Sequence, residues 1–207
     1  MIQAIIFDYG NVIFNIDHQL TIEAFKKLGV QKDAQFFGHL GQDPIFDRFE
    51  KGEITPAEFR EGIRKIAGMN LSDAEIDEAW NALLIGIPDG YLDLLLQVKS
   101  KYPSYLLSNN NQIHYDWILN YLKKQHQVND MSAFFHKDYY SHLMGMRKPN
   151  ADIFEFVLEQ HQLKAQNTLF IDDSPQHIKT ANALGIQTHL MLKTENLKDV
   201  LSRYIAL

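Results

Sequence analysis

Ala4-Ile5-Ile6-Phe7-Asp8-Tyr9-Gly10-Asn11-Val12 is the stretch that decides the fold. Four consecutive apolar residues end in a carboxylate, and a glycine follows two places later. An apolar run without alternation reads as a strand buried on both faces, as in a parallel sheet. The carboxyl end of such a strand is where open α/β sheets place their ligands. Asp8 is therefore the first candidate for chemistry. Similar runs recur at 105–107, 168–171 and 188–192. Between them the apolar residues take helical spacing. Leu92, Leu95, Leu96 and Lys99 share one face; Ile113, Trp117, Leu119 and Tyr121 share a looser one. Ile153, Phe154, Val157, Leu158 and His161 give a clearer stripe, and Ile178, Ala181, Asn182 and Leu184 run into Gly185, a helix stop. Strands alternating with amphipathic helices predict an α/β fold with a doubly wound parallel sheet covered on both faces.

Residues 15–88 read differently. Segments 21–28, 55–67 and 72–84 are all helical in period, with no strand between them. Thr55-Pro56-Ala57-Glu58 has the pattern of a capping box with proline in the first turn, and Ser72-Asp73-Ala74-Glu75 repeats the box. Phe59, Ile63 and Ile66 then form one stripe, and Ile76, Ala79, Trp80 and Leu83 another. These features predict a small helical unit over 15–88 inserted into a core of 1–14 and 89–207. Ile87-Pro88-Asp89-Gly90 would be its return linker.

A chain of 207 residues accommodates one large domain or one domain with a modest insert. Cysteine is absent, which excludes disulfides, thiolate metal sites and a thiol nucleophile. The net charge of −6 and the lack of a basic block argue against nucleic acid as a partner. No apolar run approaches the roughly 20 residues that span a bilayer, so no membrane segment is expected. Met1 leads straight into a strand without a basic leader, and a cytoplasmic location is expected by elimination. The nine histidines show no ligand-like spacing, and nothing fixes an oligomeric state.

Three later motifs gather around the first. Neighbouring strands lie about 4.8 Å apart, so carboxylates ending adjacent strands can share a cation. Asp8 and the pair Asp172-Asp173, after the run at 168–171, are suited to this. All-oxygen donors point to Mg²⁺ rather than Zn²⁺. Read alone, Asp172-Asp173 would also serve as a helix cap ahead of Ser174-Pro175. Ser108-Asn109 follows Leu106-Leu107 directly and offers a hydroxyl and an amide to a phosphoryl oxygen, or simple turn chemistry. Lys148, in Gly145-Met146-Arg147-Lys148-Pro149, offers a compact positive charge to both a nucleophile and a phosphate.

The order Asp-x-Gly-x-Val, Leu-Ser-Asn, Lys-Pro, Ile-Asp-Asp, with a helical insert after the first motif, resembles the haloacid dehalogenase-like hydrolase superfamily over nearly the whole chain. The insert resembles the cap of its subfamily I. Phe7-Asp8-Tyr9-Gly10-Asn11-Val12-Ile13, Gly52-Glu53-Ile54 and Gly145-Met146-Arg147-Lys148-Pro149 are similar to a bacterial branch of that subfamily. That branch includes an α-D-glucose-1-phosphate phosphatase and relatives of the N-terminal phosphatase domain of soluble epoxide hydrolase. The resemblance implies a Rossmannoid core and a phosphatase of a small phosphate ester, a sugar phosphate such as glucose 1-phosphate. It also implies an aspartyl-phosphate on Asp8, and Mg²⁺ held by Asp8, the Gly10 carbonyl, Asp172 and Asp173.

At Gly10 the chain departs from that pattern, because the family's phosphatases usually carry a second aspartate there as general acid and base. Three readings follow. One is a phosphatase acting on an easy leaving group, with Asp17, His18 or a metal-bound water carrying the proton. Another is a dehalogenase, whose halide leaves without a proton; this needs a cap arginine, for which Arg48, Arg60 and Arg64 are the candidates. The third is a weakly active or inactive binding protein. Phe46, Arg48, Phe49, Trp80 and Tyr91 are candidates for the surface that closes over substrate.

Overall fold

The computed structural model describes residues 1–30 and 44–207. Residues 31–43 of the expected helical insert lie outside the described residues. The chain begins with β1 (Ala4–Phe7) and a short strand β2 (Asn15–Ile16). Among the described residues four helices follow: α1 (His18–Lys27), α2 (Pro44–Glu50), α3 (Pro56–Ala67) and α4 (Asp73–Asn81). Next come β3 (Leu84–Gly86), α5 (Tyr91–Lys101), β4 (Ser104–Ser108) and α6 (Gln112–His126). The remainder is β5 (Lys137–Tyr140), α7 (Ser141–Met144), α8 (Ala151–Gln160), β6 (Thr168–Asp172), α9 (Pro175–Ala183), β7 (Gln187–Leu190) and α10 (Leu197–Ser202).

Five strands form one sheet in the order β5-β4-β1-β6-β7, and every neighbouring pair is parallel. From β1 the chain goes to β4 and β5 on one side, then crosses to β6 and β7 on the other. Strand order therefore reverses beside β1, the place where such sheets bind ligands beyond the strand ends. Side chains alternate between the two faces, as strand geometry requires. Ile5, Phe7, Leu106, Leu169 and Ile171 pack in one cluster with Leu95 and Val98 of α5, Leu122 of α6 and Leu197 of α10. Ala4, Ile6, Leu107 and Phe170 face the opposite cluster with Ile153, Phe154 and Val157 of α8 and Ala181 of α9. A third cluster joins Phe25, Phe46, Phe49, Phe59, Ile63, Ile76 and Ala79 of α1–α4. Each fully buried aromatic or aliphatic side chain contributes roughly 1.5–3 kcal/mol, so every layer has its own hydrophobic drive.

Local chemistry explains the helix ends. Thr55 accepts from Glu58 N–H while the Glu58 carboxylate accepts from Thr55 N–H, and Ser72 and Glu75 form the same reciprocal pair. Gly68, at φ 67°, ends α3 in the left-handed conformation that glycine tolerates. Gly185, at φ 81°, follows α9 in the same way.

Three expectations need correction. The helix expected over 72–84 stops at Asn81, because Leu84 leaves it to pair with Ile16 in an antiparallel ladder. Two strands, β2 and β3, therefore stand where none was expected, and they bring the two ends of the helical segment together. The edge strand β5 carries Lys137 and Asp138 before Tyr139-Tyr140, so it lacks the apolar run that marks inner strands. On α5 the buried face is Leu94, Leu95 and Val98, whereas Leu96 is exposed. The unbroken run Leu94-Leu95-Leu96 hid which face points inward.

Candidate active site

Asp8 and Asp172 stand side by side because β1 and β6 pair in register, Phe7 opposite Ile171. The Asp8 backbone N–H continues the ladder by donating to the Ile171 carbonyl at 2.9 Å. Asp173 follows at the surface of the same corner. Carboxylate oxygens of Asp8, Asp172 and Asp173 all lie within 4.8 Å of one another. Asn11, at φ 55°, donates to Asp173 Oδ2 at 2.9 Å, and Ser174 N–H donates to Asp172 Oδ1 at 2.7 Å. Asp172 thus helps the turn into α9, but Ser174 is the cap residue of that helix.

Lys148 enters from the loop between α7 and α8 and is completely buried. Its ammonium donates to Asp8 Oδ1 at 2.6 Å and to Asp172 Oδ2 at 2.7 Å. Burial, then the Asp172 carboxylate, push the Asp8 carboxyl up, against the pull of Lys148. Burial would raise Asp172 too, but Lys148 and the hydrogen bond from His177 outweigh it and hold the carboxyl at about 2. The two carboxylates raise Lys148 despite its burial, so the lysine stays charged. His177 Nδ1 lies 2.9 Å from Asp172 Oδ1.

Ser108 ends β4, the strand next to β1, and is buried. The Asn109 side chain is differently used from expectation. Its amide donates to the Lys148 carbonyl at 2.8 Å and its oxygen accepts from Lys148 N–H at 2.9 Å. The side chain clasps the lysine's backbone.

Beyond these groups opens a cavity of 580 Å³ that reaches the helices α1, α2 and α4. Phe14, Ile16, Phe46, Trp80 and Leu84 give it apolar walls. His18, Thr21, Glu50, His114 and Arg147 add polar groups. Trp80 stacks on His114 with ring centroids 5.0 Å apart, and His114 Nδ1 is 2.8 Å from Asn81 Oδ1. Burial holds His114 neutral, down at about 3. Arg147 ties α2 to the lysine loop: it lies 2.7 Å from Asp47 and 2.9 Å from Glu50.

Of the residues expected over the substrate, Phe46 and Trp80 line the cavity, whereas Arg48, Phe49 and Tyr91 do not. Phe49 stacks on Phe59 at 4.2 Å, and Tyr91 accepts from Leu197 N–H through its hydroxyl. The arginines considered for a halide are engaged elsewhere. Arg48 pairs with Glu53, Arg60 grips Asp77 with two hydrogen bonds, and Arg64 binds Asp73 and the Leu71 carbonyl. Asp17, offered as a proton carrier, caps α1 by accepting from Gln19 N–H. Glu50, His114 and His177 were not singled out from the sequence; only the position of His177 five residues after Asp172 hinted at a role.

Residues 2–185 match the family of haloacid dehalogenase-like hydrolases. The chain is 31% identical over 190 residues to a D-ribitol-5-phosphate phosphatase of Bacteroides thetaiotaomicron, covering 91% of each protein. It is 26% identical over 200 residues to a sesquiterpene phosphatase of Aspergillus oryzae, covering 89% of this chain and 87% of the relative. Among solved structures, a mutant HAD family enzyme of B. thetaiotaomicron in complex with magnesium and inorganic phosphate superposes with a TM-score of 0.90. The two are 40% identical over 97% of this chain and 99% of the other. A predicted HAD-like family hydrolase of Porphyromonas gingivalis gives 0.88 at 30% identity, over 98% and 97%.

Proposed function

The chain belongs to the haloacid dehalogenase-like hydrolases, and from this premise we propose that it is a Mg²⁺-dependent phosphatase of a small sugar or polyol phosphate. The observation that carries the reading is the Lys148 ammonium set between the Asp8 and Asp172 carboxylates, with Asp173 alongside. Asp8 is the nucleophile. Its carboxylate oxygen bonds to phosphorus as the ester P–O bond breaks, and water then cleaves the aspartyl-phosphate to regenerate the carboxylate. Lys148 keeps Asp8 close and supplies positive charge where the phosphoryl oxygens gather. Ser108, with the N–H of Asn109, receives one of those oxygens.

The donor set fits Mg²⁺: three carboxylates crowd one corner, and their mutual repulsion is what a divalent cation relieves. Asp8, the Gly10 carbonyl, Asp172 and Asp173 would hold it, and when bound it neutralises phosphate charge. Residues 15–88 act as the cap over the core of 1–14 and 89–207, and Phe46 and Trp80 face the substrate from it. Glucose 1-phosphate is the substrate that suits Gly10 best; ribitol 5-phosphate is suggested by the Bacteroides relative. The arginines of the cap that a dehalogenase would need are engaged in ion pairs away from the cavity, which favours the phosphatase.

Phosphate release from a panel of sugar and polyol phosphates, with and without Mg²⁺, tests the proposal. Turnover that requires the cation and vanishes in Asp8→Asn supports it. A folded protein inert toward every phosphomonoester contradicts it and leaves a binding role.

A further inference from the structure

We infer that Asn111 and His114 determine specificity: together they hold hydroxyl groups on the tail of the substrate and turn away a tail of plain hydrocarbon. The inference rests on the phosphatase reading and adds the residues that read the polyol or sugar. Both residues line the cavity that opens beyond Asp8. Asn111 is 2% exposed and His114 8%, so both side chains are buried. Asn111 is the cap residue of α6 and His114 stands three places on, which puts the two on one side of the helix start.

Their own hydrogen bonds leave one atom of each unused. Asn111 Oδ1 accepts from His114 N–H at 3.0 Å and from Trp80 Nε1 at 3.3 Å. Two donors on that oxygen fix the way the amide lies, so Nδ2 is its free end. His114 Nδ1 donates to Asn81 Oδ1, 2.8 Å away. Burial keeps the ring neutral, and Nε2 therefore carries a lone pair. Among the described residues, neither Asn111 Nδ2 nor His114 Nε2 has a hydrogen-bond partner. Tyr9 Oη and Asn110 Nδ2 also lack one, but those atoms are sealed under their neighbours. Asn111 Nδ2 and His114 Nε2 are not sealed, and they open on the cavity that their residues line.

Nδ2 can only donate and Nε2 can only accept, whereas a hydroxyl does both. The pair is therefore complementary to hydroxyl groups, singly or on neighbouring carbons. Trp80 lies flat against His114, with ring planes 7° apart, and Phe46 stacks on Trp80 at 5.4 Å. These rings hold the imidazole in place and suit the C–H faces of a polyol. A hydrocarbon tail would meet the same apolar walls, but it would strip water from Nδ2 and Nε2 and offer them no hydrogen bond. Polar groups left unpaired in this way let a site reject an analogue that lacks the hydroxyl.

The test is kcat/KM in Mg²⁺ for ribitol 5-phosphate and pentyl phosphate, in the natural enzyme, His114→Phe and Asn111→Asp. Both esters carry a five-carbon chain and release a primary alcohol, so proton delivery weighs alike on the two. His114→Phe keeps a ring against Trp80 without Nε2. Asn111→Asp keeps the oxygen that caps α6 and loses the amide, and aspartate caps as well as asparagine. The natural enzyme should favour ribitol 5-phosphate by about 10²-fold, and each variant should cut that preference about tenfold. Equal kcat/KM for the two esters in the natural enzyme, or a preference for pentyl phosphate, overturns the inference while leaving the phosphatase intact. A preference that survives in both variants also overturns it and makes the two residues structural, even where kcat/KM falls for both esters. If His114→Phe does not fold, Asn111→Asp decides alone. Absence of turnover with both esters and with 4-nitrophenyl phosphate removes both readings together.

Discussion

The Lys148 ammonium lies 2.6 Å from Asp8 Oδ1, and its side chain has no exposure to solvent. The same nitrogen reaches Asp172 at 2.7 Å, so one cation serves two buried carboxylates. Such an arrangement is costly to break from one side, because the remaining charges stay buried without a partner.

Lys148→Met should therefore destabilise the fold as well as abolish turnover. Removing one member of a buried ionic cluster costs about 3–5 kcal/mol. Thermal unfolding should fall sharply in metal-free buffer and recover in part when Mg²⁺ is added, since the cation replaces the missing positive charge. Equal losses with and without Mg²⁺ would argue that the metal does not bind at these carboxylates.

Asn109→Ala removes both hydrogen bonds that clasp the Lys148 backbone. At about 0.5–1.5 kcal/mol each, their loss should lower stability by a modest amount. The larger effect should be on kcat, because the lysine loses its fixed position. Asn109→Asp retains the acceptor for Lys148 N–H and should fall between the two. A change confined to KM would assign Asn109 to substrate contact instead.

Mg²⁺ should raise the melting temperature by mass action. At a concentration 100 times its dissociation constant the gain is about 2.7 kcal/mol. Asp172→Asn should erase this shift. Persistence of the shift in that variant would place the cation elsewhere.

Acid should destabilise the protein through His114. Its folded value is about 3 against an ordinary 6.5. The folded protein therefore holds the ring neutral while the unfolded chain takes up a proton. Stability is complete above pH 6.5 and declines as pH falls from 6.5 toward 3, by about 1.4 kcal/mol per unit. Denaturant titrations of the natural protein and His114→Gln should converge in slope only above pH 6.5. Parallel pH profiles would show that the imidazole is not the cause.

Much of the fold was legible in the sequence because its signals are local. Ala4–Phe7 and Thr168–Asp172 are short apolar runs ending in carboxylates, and Thr55 and Ser72 announce helix starts within four residues. What escaped depends on partners distant in the chain. The Asn109–Lys148 clasp spans 39 residues, and the Arg147–Asp47 pair spans 100. The strands β2 and β3 are two and three residues long, too short to show a period, and exist because they find each other. The meaning of Gly10 also needed the fold. Glycine at that position reads as an absent carboxylate, and the fold adds that the tip of the Ile16 side chain comes back to where a Cβ there would stand.

The central claim is that Asp8 accepts the phosphoryl group. Borohydride reduction during turnover, followed by peptide mass spectrometry, reads this directly, because an aspartyl-phosphate is reduced to homoserine. Homoserine at position 8, dependent on Mg²⁺ and on substrate, is the expected result. Phosphate release with no modification at Asp8, or with the label on another residue, would contradict it.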